Sequence, residues 1–233
     1  MLCSFRRAVF ACSLLVAPGA HAGVPALSSD ETLAALQESR LDAEVLRQGL
    51  AAVSCAERKG LPRAERLALI DFRLPSTERR LWVLDLTSGA VLFHEYVAHG
   101  RGSGDAQASH FSNISDSYTS SLGLFQTLEP YTGANGYSLR LQGLEPGIND
   151  RAYDRAIVMH GADYVSEGFI KTSGRLGRSY GCPAVRAEIA KPLIDVLRGH
   201  QYLYAYAESA TWSGTPATMG CEMPAKLLKT SGQ

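Results

Sequence analysis

The sequence predicts a mainly β domain that follows a helical segment and closes with a late helix. Short apolar runs recur along the middle of the chain, and glycines or other turn residues separate them about every ten residues. The runs at 81–86 and 90–97 flank Thr87-Ser88-Gly89, which is typical of a β-hairpin. Many short strands with one late helix indicate a mainly β architecture with helices packed against it.

The first element is a helix predicted over residues 28–60. Its leucines and valine recur at helical spacing, and Ser29 and Asp30 are candidate caps. Gly49 is predicted to divide this helix in two, because glycine weakens a helix interior. Gly60 ends it.

Strands and loops occupy the rest of the chain. The predicted strands are 67–74, 81–86, 90–97, 122–126, 137–141, 155–160 and 202–206. The segment 100–119 is polar, rich in glycine and serine and too long for a turn, so it is predicted to be a functional loop. A helix is predicted from Cys182 to about Arg198, and the tail from Ser209 reads as loop.

The N-terminus has the pattern of a secretory signal peptide. Arg6 and Arg7 precede an apolar run at 8–17, and Ala20-His21-Ala22 fits a cleavage site. A short membrane anchor is the alternative. No later stretch approaches 18 apolar residues, so no integral membrane segment is expected after cleavage.

Export changes the meaning of the cysteines, because disulfides form in oxidising compartments. Cleavage removes the first two cysteines and leaves Cys55, Cys182 and Cys221. The economical assignment pairs Cys55 with Cys221 and leaves Cys182 as a free thiol; a Cys55–Cys182 bond stays open.

Charge gives no reason to expect nucleic acid or an anionic membrane as a partner. Removal of Arg6 and Arg7 from 23 basic residues leaves 21, against 23 acidic residues. A net charge near neutrality lacks the basic excess that such polyanions require.

One histidine and one cysteine stand in a pattern that indicates catalysis. His160 follows the apolar run 156–159, and Cys182 ends the Gly-rich loop 177–182. Such a loop lets the backbone approach a substrate and leaves amides for an oxyanion, while an imidazole is the usual partner of a nucleophilic thiol. The alternative is a buried structural cysteine with an unrelated core histidine.

The residues around Cys182 predict an activated thiol. Pro183 suits the first position of a helix, so Cys182 is predicted to be its N-cap. A thiolate there would feel the positive end of the helix dipole, which lowers its pKa, and Arg178 would add positive potential.

The chain from about Asp71 to Tyr206 resembles the murein L,D-transpeptidase catalytic domains, in the branch with a Ser-x-Gly-Cys-Pro motif. The stretches that carry the resemblance are 98–103, 111–113, 120–123, 131–136, 138–145, 157–162 and 177–185. The resemblance implies a β-sandwich or barrel catalytic domain. The predicted regions are a signal peptide at 1–22, a helical segment at 23–65, the catalytic domain at 66–207 and a tail at 208–233.

The resemblance also implies the roles of the site residues. The nucleophile falls on Cys182 and the base on His160. The remaining candidates for oxyanion or substrate binding are Ser179, Tyr180, Gly181, Arg178 and His99. An equally open alternative is that His99 is an ordinary half-exposed histidine at the end of a strand.

Two positions depart from the family pattern. Tyr180 stands where better-known members have histidine, and Ala184 stands where they have asparagine or arginine. Those positions help to bind the donor peptide, and Arg186 is the candidate for the missing cation.

The reaction implied by the resemblance is acyl transfer on peptidoglycan tetrapeptide stems, without a metal or cofactor. Cys182 attacks the carbonyl of the third stem residue, D-Ala leaves, and an amine or water resolves the thioacyl-enzyme. Stem peptides are therefore the expected partners of a monomer in the periplasm or cell-wall space. Transpeptidation and L,D-carboxypeptidation stay open.

Three other functions compete with this interpretation. A zinc protease would use His94, Glu95 and His99, but their spacing is one residue too long for the helical zinc motif. A papain-like peptidase places its cysteine before its histidine, the reverse of the order here. A wall-binding module that keeps only the fold would not need both Cys182 and His160.

Overall fold

The computed structural model describes residues 38–209, 212 and 214–221, and it shows one eight-stranded sheet flanked by helices. The strands are β1 (Arg66–Asp71), β2 (Leu81–Asp85), β3 (Val91–Glu95), β4 (Gly123–Gly133), β5 (Gly136–Gly143), β6 (Val158–Ala162), β7 (Ala184–Arg186) and β8 (Tyr202–Tyr206). The helices are α1 (Ala43–Arg58), α2 (Glu167–Ser173), α3 (Ala187–Leu197) and α4 (Thr215–Thr218), with a 3₁₀ turn at Arg101–Ser103. The predicted mainly β class is confirmed.

The strand order is β3-β2-β1-β8-β4-β5-β6-β7. The β1–β8 and β6–β7 pairs are parallel and the other pairs are antiparallel. Just beyond β3, Ala98 pairs with Ala184 of β7, where the Ala98 N–H donates to the Ala184 carbonyl at 2.8 Å. Because this contact joins the two edges of the sheet, the architecture is a nearly closed barrel.

The core lies along the central strands. The first four apolar residues of β1 after Arg66 are fully buried, and so is most of β8. A strand buried on both faces reads as a continuous apolar run, which is why 67–70 lacks polar alternation. The predicted hairpin is also confirmed, since β2 and β3 pair antiparallel across the Thr87–Gly89 turn.

Helix α1 differs from its prediction at one point. It runs without interruption through Gly49, so the predicted division there is wrong, and the non-helical residues lie earlier, at 39–42. Asp42 caps α1 by accepting from the Glu44 and Val45 amides. A Cβ on Gly49 would lie 2.4 Å from Leu69 Cδ2, so the glycine lets the helix approach β1 closely. The part of the predicted helix before residue 38 lies outside the described residues.

The cysteines follow the economical assignment. Cys55 of α1 and Cys221 of the C-terminal segment form a disulfide that spans 166 residues, and Cys182 is free. Buried Glu145 also holds the C-terminal segment, because it accepts from Trp212 Nε1 at 2.8 Å and from the Thr215 and Thr218 hydroxyls.

The segment directly after Cys182 is predicted to be helical, but in the structure it is not. Residues 184–186 form β7, which pairs in parallel with 160–162 of β6, and helix α3 begins only at Ala187 with Arg186 at its N-cap. The prediction that Cys182 caps a helix is therefore wrong.

The predicted signal peptide lies outside the described residues. None of the helices in the described part of the chain combines the length and apolar character needed to cross a membrane.

Candidate active site

Backbone contacts hold the loop Ser179–Cys182 against the segment that follows β3. The Ser179 N–H donates to the His99 carbonyl at 3.0 Å, and the Arg101 N–H donates to the Ser179 carbonyl at 2.8 Å. A Cβ on Gly100 would lie 2.7 Å from the Gly181 Cα, so no side chain fits between these strands of backbone. The predicted role of glycine in allowing close backbone approach therefore applies to this loop.

Gly181 is required by its conformation as well as by space. Its φ is +122°, and an added Cβ would meet the Thr119 carbonyl oxygen at 2.7 Å. Ser120 joins the same junction, since its hydroxyl donates to the Gly181 carbonyl at 3.1 Å and accepts from the Gly100 amide at 3.0 Å. Three segments thus converge directly before Cys182.

Ser179 shapes the loop from within. Its hydroxyl donates to the Cys182 carbonyl at 2.6 Å and accepts from the Gly181 amide at 3.1 Å. The Gly181 amide is therefore occupied, contrary to its expected place in an oxyanion hole. The Tyr180 amide donates to no acceptor within the part of the chain that the structure describes, and the Cys182 amide interacts only with its own thiol there, so no other residue occupies these two amides.

The Cys182 thiol lies against strand β6. Its Sγ accepts from the Val158 amide at 3.4 Å and donates to the Ala156 carbonyl at 3.7 Å. His160 follows Val158 by two residues, so both side chains are on one face of β6. The His160 amide also donates to the Pro183 carbonyl at 3.4 Å, next to Cys182. The fold therefore brings the predicted nucleophile and base to the same part of β6.

His160 is held in the tautomer that a general base needs. Its Nδ1 lies 2.9 Å from the Gly161 carbonyl, and because a carbonyl can only accept, Nδ1 carries the proton. Nε2 then keeps its lone pair. The ring is buried, and this burial lowers the pKa of His160, while the Gly161 carbonyl acts in the opposite direction.

The Cys182 thiol is not activated by a helix dipole. Burial raises the pKa of Cys182 above its ordinary value, which contradicts the predicted lowering. The Val158 amide and the nearby charge of Arg155 act against this rise. Both shifts favour the neutral forms of the imidazole and the thiol, so a nucleophilic role for Cys182 would require the thiol to lose its proton during attack.

Arg155 is a site residue that the sequence did not single out. Its half-buried guanidinium donates to the carbonyls of Ser112 and Thr119, both at 2.8 Å, and to the hydroxyl of Ser121 at 2.7 Å. It thereby anchors the loop 112–121 that carries Ser120. Nothing local marks it, because its partners lie more than 30 residues away; only the serine-rich loop offered a hint.

His99 is placed differently from both of its interpretations. It is buried at 1 % exposure, so it is not a half-exposed strand-end histidine, and a buried ring is poorly placed to contact substrate. Its Nδ1 accepts from Arg80 Nη2 at 2.7 Å. Burial and the Arg80 charge lower the pKa of His99 to about 4. Its contribution to the site is its carbonyl, which holds Ser179.

Two arginines of the prediction are engaged elsewhere. Arg178 donates to Asp105 at 2.7 Å and to the Gly104 carbonyl at 2.9 Å. Arg186 forms a bidentate pair with Glu95 at 2.6 and 2.9 Å and also binds Glu188. Arg186 is thus unsuited to serve as the missing substrate-binding cation. Tyr180, in contrast, is 65 % exposed beside Cys182.

The histidines of the zinc-protease alternative have separate environments. His94 stacks on Trp82 with ring centroids 4.9 Å apart, and its Nε2 lies 3.1 Å from the Arg79 carbonyl, whereas His99 binds Arg80. Within 38–209, 212 and 214–221, no group of three or more His, Cys, Asp or Glu side chains is arranged to hold a metal ion.

Comparison with known families returns one match. Residues 37–206 match the family described as the L,D-transpeptidase catalytic domain. The matched range includes α1, which the sequence analysis placed before the catalytic domain. A comparison with curated proteins found no match.

Similar solved structures have low sequence identity. They include an L,D-transpeptidase from Mycobacterium smegmatis (14 % identity, TM-score 0.39), the helical cell shape determining protein Pgp2 from Campylobacter jejuni (13 %, 0.41) and L,D-transpeptidase 3 from Mycobacterium tuberculosis (11 %, 0.40). Each alignment covers 62 % of this chain. It spans 60 %, 48 % and 62 % of the respective structures, so the chain matches less than two thirds of their lengths.

Proposed function

The chain belongs to the L,D-transpeptidase catalytic domain family, and on this basis we propose that it transfers acyl groups between peptidoglycan stem peptides through Cys182. The observation that carries the proposal is the free Cys182 thiol, which ends a glycine-rich loop and contacts β6, the strand that carries His160, inside the matched region. The reaction takes place outside the cytoplasm, where the predicted signal peptide would deliver the protein.

The first half-reaction forms a thioester. Cys182 Sγ attacks the carbonyl carbon of the third stem residue, and His160 Nε2 accepts the thiol proton. The tetrahedral intermediate collapses as the amide bond to D-Ala breaks, and the same proton passes to the leaving D-Ala amine. The oxyanion is stabilised by the Tyr180 and Cys182 amides, which no other described residue occupies.

The second half-reaction restores the thiol. An amine from a neighbouring stem attacks the thioester carbonyl, His160 removes its proton, and the Cys182 thiolate leaves and is reprotonated. This sequence yields a 3→3 cross-link. Water in place of the amine would yield a tripeptide stem, which is L,D-carboxypeptidase activity.

The decisive experiment is incubation of the purified protein with disaccharide-tetrapeptide, followed by mass spectrometry of the products. We expect release of D-Ala together with a cross-linked dimer. Tripeptide without dimer would reassign the acceptor to water. Binding of the muropeptide without any D-Ala release would contradict the proposal and favour a wall-binding module.

A carbapenem is expected to acylate Cys182. The strained ring carbonyl imitates the scissile amide, and attack on it requires the thiol, His160 and the free amides of the loop, but few donor-peptide contacts. Intact-protein mass spectrometry should show one adduct, and peptide mapping should place it on Cys182.

Two controls make the carbapenem result interpretable. Alkylation without reductant should label Cys182 alone, since Cys55 and Cys221 are paired. A free thiol that forms no carbapenem adduct would count against the proposed acyl-transfer geometry. An adduct without tetrapeptide turnover would mean that the chemistry is intact and the natural substrate differs.

A further inference from the structure

Beside the cysteine loop, one arginine lies against the rings of two exposed tyrosines. The Arg101 guanidinium carbon lies 4.2 Å from the ring centre of Tyr118 and 4.6 Å from that of Tyr180. The two ring centres are 5.0 Å apart, and the rings are 38 % and 65 % exposed. We refer to these three residues as the arginine–tyrosine clamp.

The clamp belongs to the wall of the candidate site. The Arg101 amide donates to the Ser179 carbonyl, and the Gly102 amide donates to the Tyr118 carbonyl at 2.9 Å. Tyr180 precedes Cys182 by two residues, so their Cα atoms are at most about 7 Å apart. A group bound at Arg101 is therefore within reach of a peptide whose scissile carbonyl is at Cys182.

The backbone is held in an unfavourable conformation to present this surface. Tyr118 has φ of +57°, in the left-handed region that a bulky side chain rarely adopts. The Gly102 amide and the close packing of its carbonyl on Gly100 keep it there. Such strain, maintained next to a reactive group, is more frequent at functional sites than elsewhere.

The charge of Arg101 is also unused. Its side chain is exposed, and no acidic group or carbonyl of the described residues accepts from it. This distinguishes it from Arg178, Arg186 and Arg155, whose guanidinium groups are committed to neighbours. A guanidinium whose described contacts are with aromatic rings keeps its N–H donors available, and its planar fork suits bidentate binding of a carboxylate.

We propose that the arginine–tyrosine clamp binds a carboxylate of the donor stem peptide, on one side or the other of the scissile amide. The inference rests on the proposed function for the identity of the ligand. A tetrapeptide stem offers two such groups, the terminal carboxylate of D-Ala and the side-chain carboxylate of a diaminopimelate third residue. Arg101 thus takes the place of the donor-binding cation that Ala184 cannot provide.

The test measures binding separately from turnover. Isothermal titration of the Cys182→Ala protein with a soluble diaminopimelate-containing tetrapeptide gives the reference Kd. Adding Arg101→Gln is expected to raise Kd about tenfold to a hundredfold, the range for loss of a charge-assisted bidentate contact. Arg101→Lys should give an intermediate value, because lysine keeps the charge but not the planar fork. Thermal unfolding monitors the fold of each variant.

Peptide analogues identify the carboxylate. One analogue carries an amide at the D-Ala terminus and the other an amide on the third side chain. For the analogue that lacks the recognised group, Arg101→Gln should leave Kd unchanged. A merely structural role of Arg101 would weaken both analogues and the parent peptide equally, and that result would overturn the proposal.

Two further arginines serve as controls in the binding experiment. Arg79 is also exposed and stacked, 5.5 Å from the Tyr96 ring centre, but its hydrogen bond is to the His94 carbonyl; Arg79→Gln should not alter Kd. The Arg140 guanidinium lies near the rings of Tyr131 and Tyr153, and Arg140 pairs in register with Val158. If Arg140→Gln carries the whole loss, the carboxylate belongs to Arg140 and the proposal is wrong.

The outcomes separate this inference from the proposed function. Binding that depends on Arg101 in a protein that releases no D-Ala would sustain the clamp and refute the transfer reaction. If Arg101→Gln releases D-Ala with unchanged Kd and KM, the transfer reaction would be sustained and the role of the clamp refuted. A tetrapeptide that neither binds nor reacts would refute both.

Discussion

Cys182→Ala and His160→Ala are each expected to lower kcat/KM for D-Ala release by at least about 10⁴-fold, since a nucleophile and its base act as a unit. Alanine at position 182 removes the atom that forms the thioester. Alanine at position 160 leaves a partly exposed thiol whose pKa is already raised by burial, so very little thiolate is present at neutral pH. Release of D-Ala is measured by coupled assay over a pH range.

The pH profile of kcat/KM distinguishes a neutral Cys182–His160 pair from a preformed thiolate–imidazolium ion pair. Because burial lowers the pKa of His160, the imidazole stays unprotonated to below its ordinary value of about 6.5. The acid limb of kcat/KM is therefore expected below pH 6.5. In His160→Ala, the residual rate should instead rise with pH as the thiol ionises, at a midpoint above the ordinary thiol value.

A matched control keeps the interpretation specific. His200 is an exposed histidine in the turn between α3 and β8, with φ of +65°. His200→Asn preserves a residue that tolerates this conformation and should leave kcat/KM unchanged. Retention of more than about one tenth of the activity in His160→Ala would show that another group is the base.

The sequence predicted those parts of the fold that local pattern determines. The β2–β3 hairpin follows from Thr87-Ser88-Gly89, and Cys55–Cys221 was the economical choice among the pairings that three cysteines allow. The short strand β7 could not be anticipated in this way. Residues 184–186 gain their strand partners from β6 and Ala98, which are distant in sequence, and these pairings override the helix-start signal of Pro183.

The same distinction applies to the site. Local pattern was enough to propose Cys182, from its Gly-rich loop, and His160, from its place at the end of an apolar run. The environment of the thiol is made by long-range contacts: Arg155 reaches a loop more than 30 residues earlier, and Arg101 meets Tyr180 across 79 positions. No periodicity or spacing marks such pairs. The sequence therefore predicted that a helix dipole lowers the Cys182 pKa, whereas in the structure burial raises it and the charge of Arg155 opposes the rise.

Arg155→Met is expected to lower kcat/KM by about 100-fold, through two effects with one origin. The charge of Arg155 opposes the rise in the Cys182 pKa that burial causes, so its loss leaves the thiol harder to ionise. The same guanidinium anchors the Ser112 and Thr119 carbonyls, and loop 112–121 positions Ser120 against Gly181. Methionine fills similar space but supplies neither charge nor donors.

Alkylation of Cys182 by neutral iodoacetamide separates the two effects, because the reagent needs the thiolate but no substrate contacts. The midpoint of its pH profile should move upward in Arg155→Met and return part of the way in Arg155→Lys, which keeps the charge and loses the fork. An unchanged midpoint with reduced turnover would assign Arg155 to loop anchoring alone.

Arg151 provides the control for a general effect of charge near this loop. It is exposed four residues before Arg155 and donates to the Ser115 hydroxyl at 3.3 Å, so it touches the same loop without facing Gly181. Arg151→Met removes an equal charge and should alter neither the alkylation midpoint nor kcat/KM measurably, since exposed charges are strongly screened. If Arg151→Met matched the loss in Arg155→Met, the effect would come from net charge on the loop, and neither the hydrogen bonds of Arg155 to the loop nor its charge near Cys182 would have a special role.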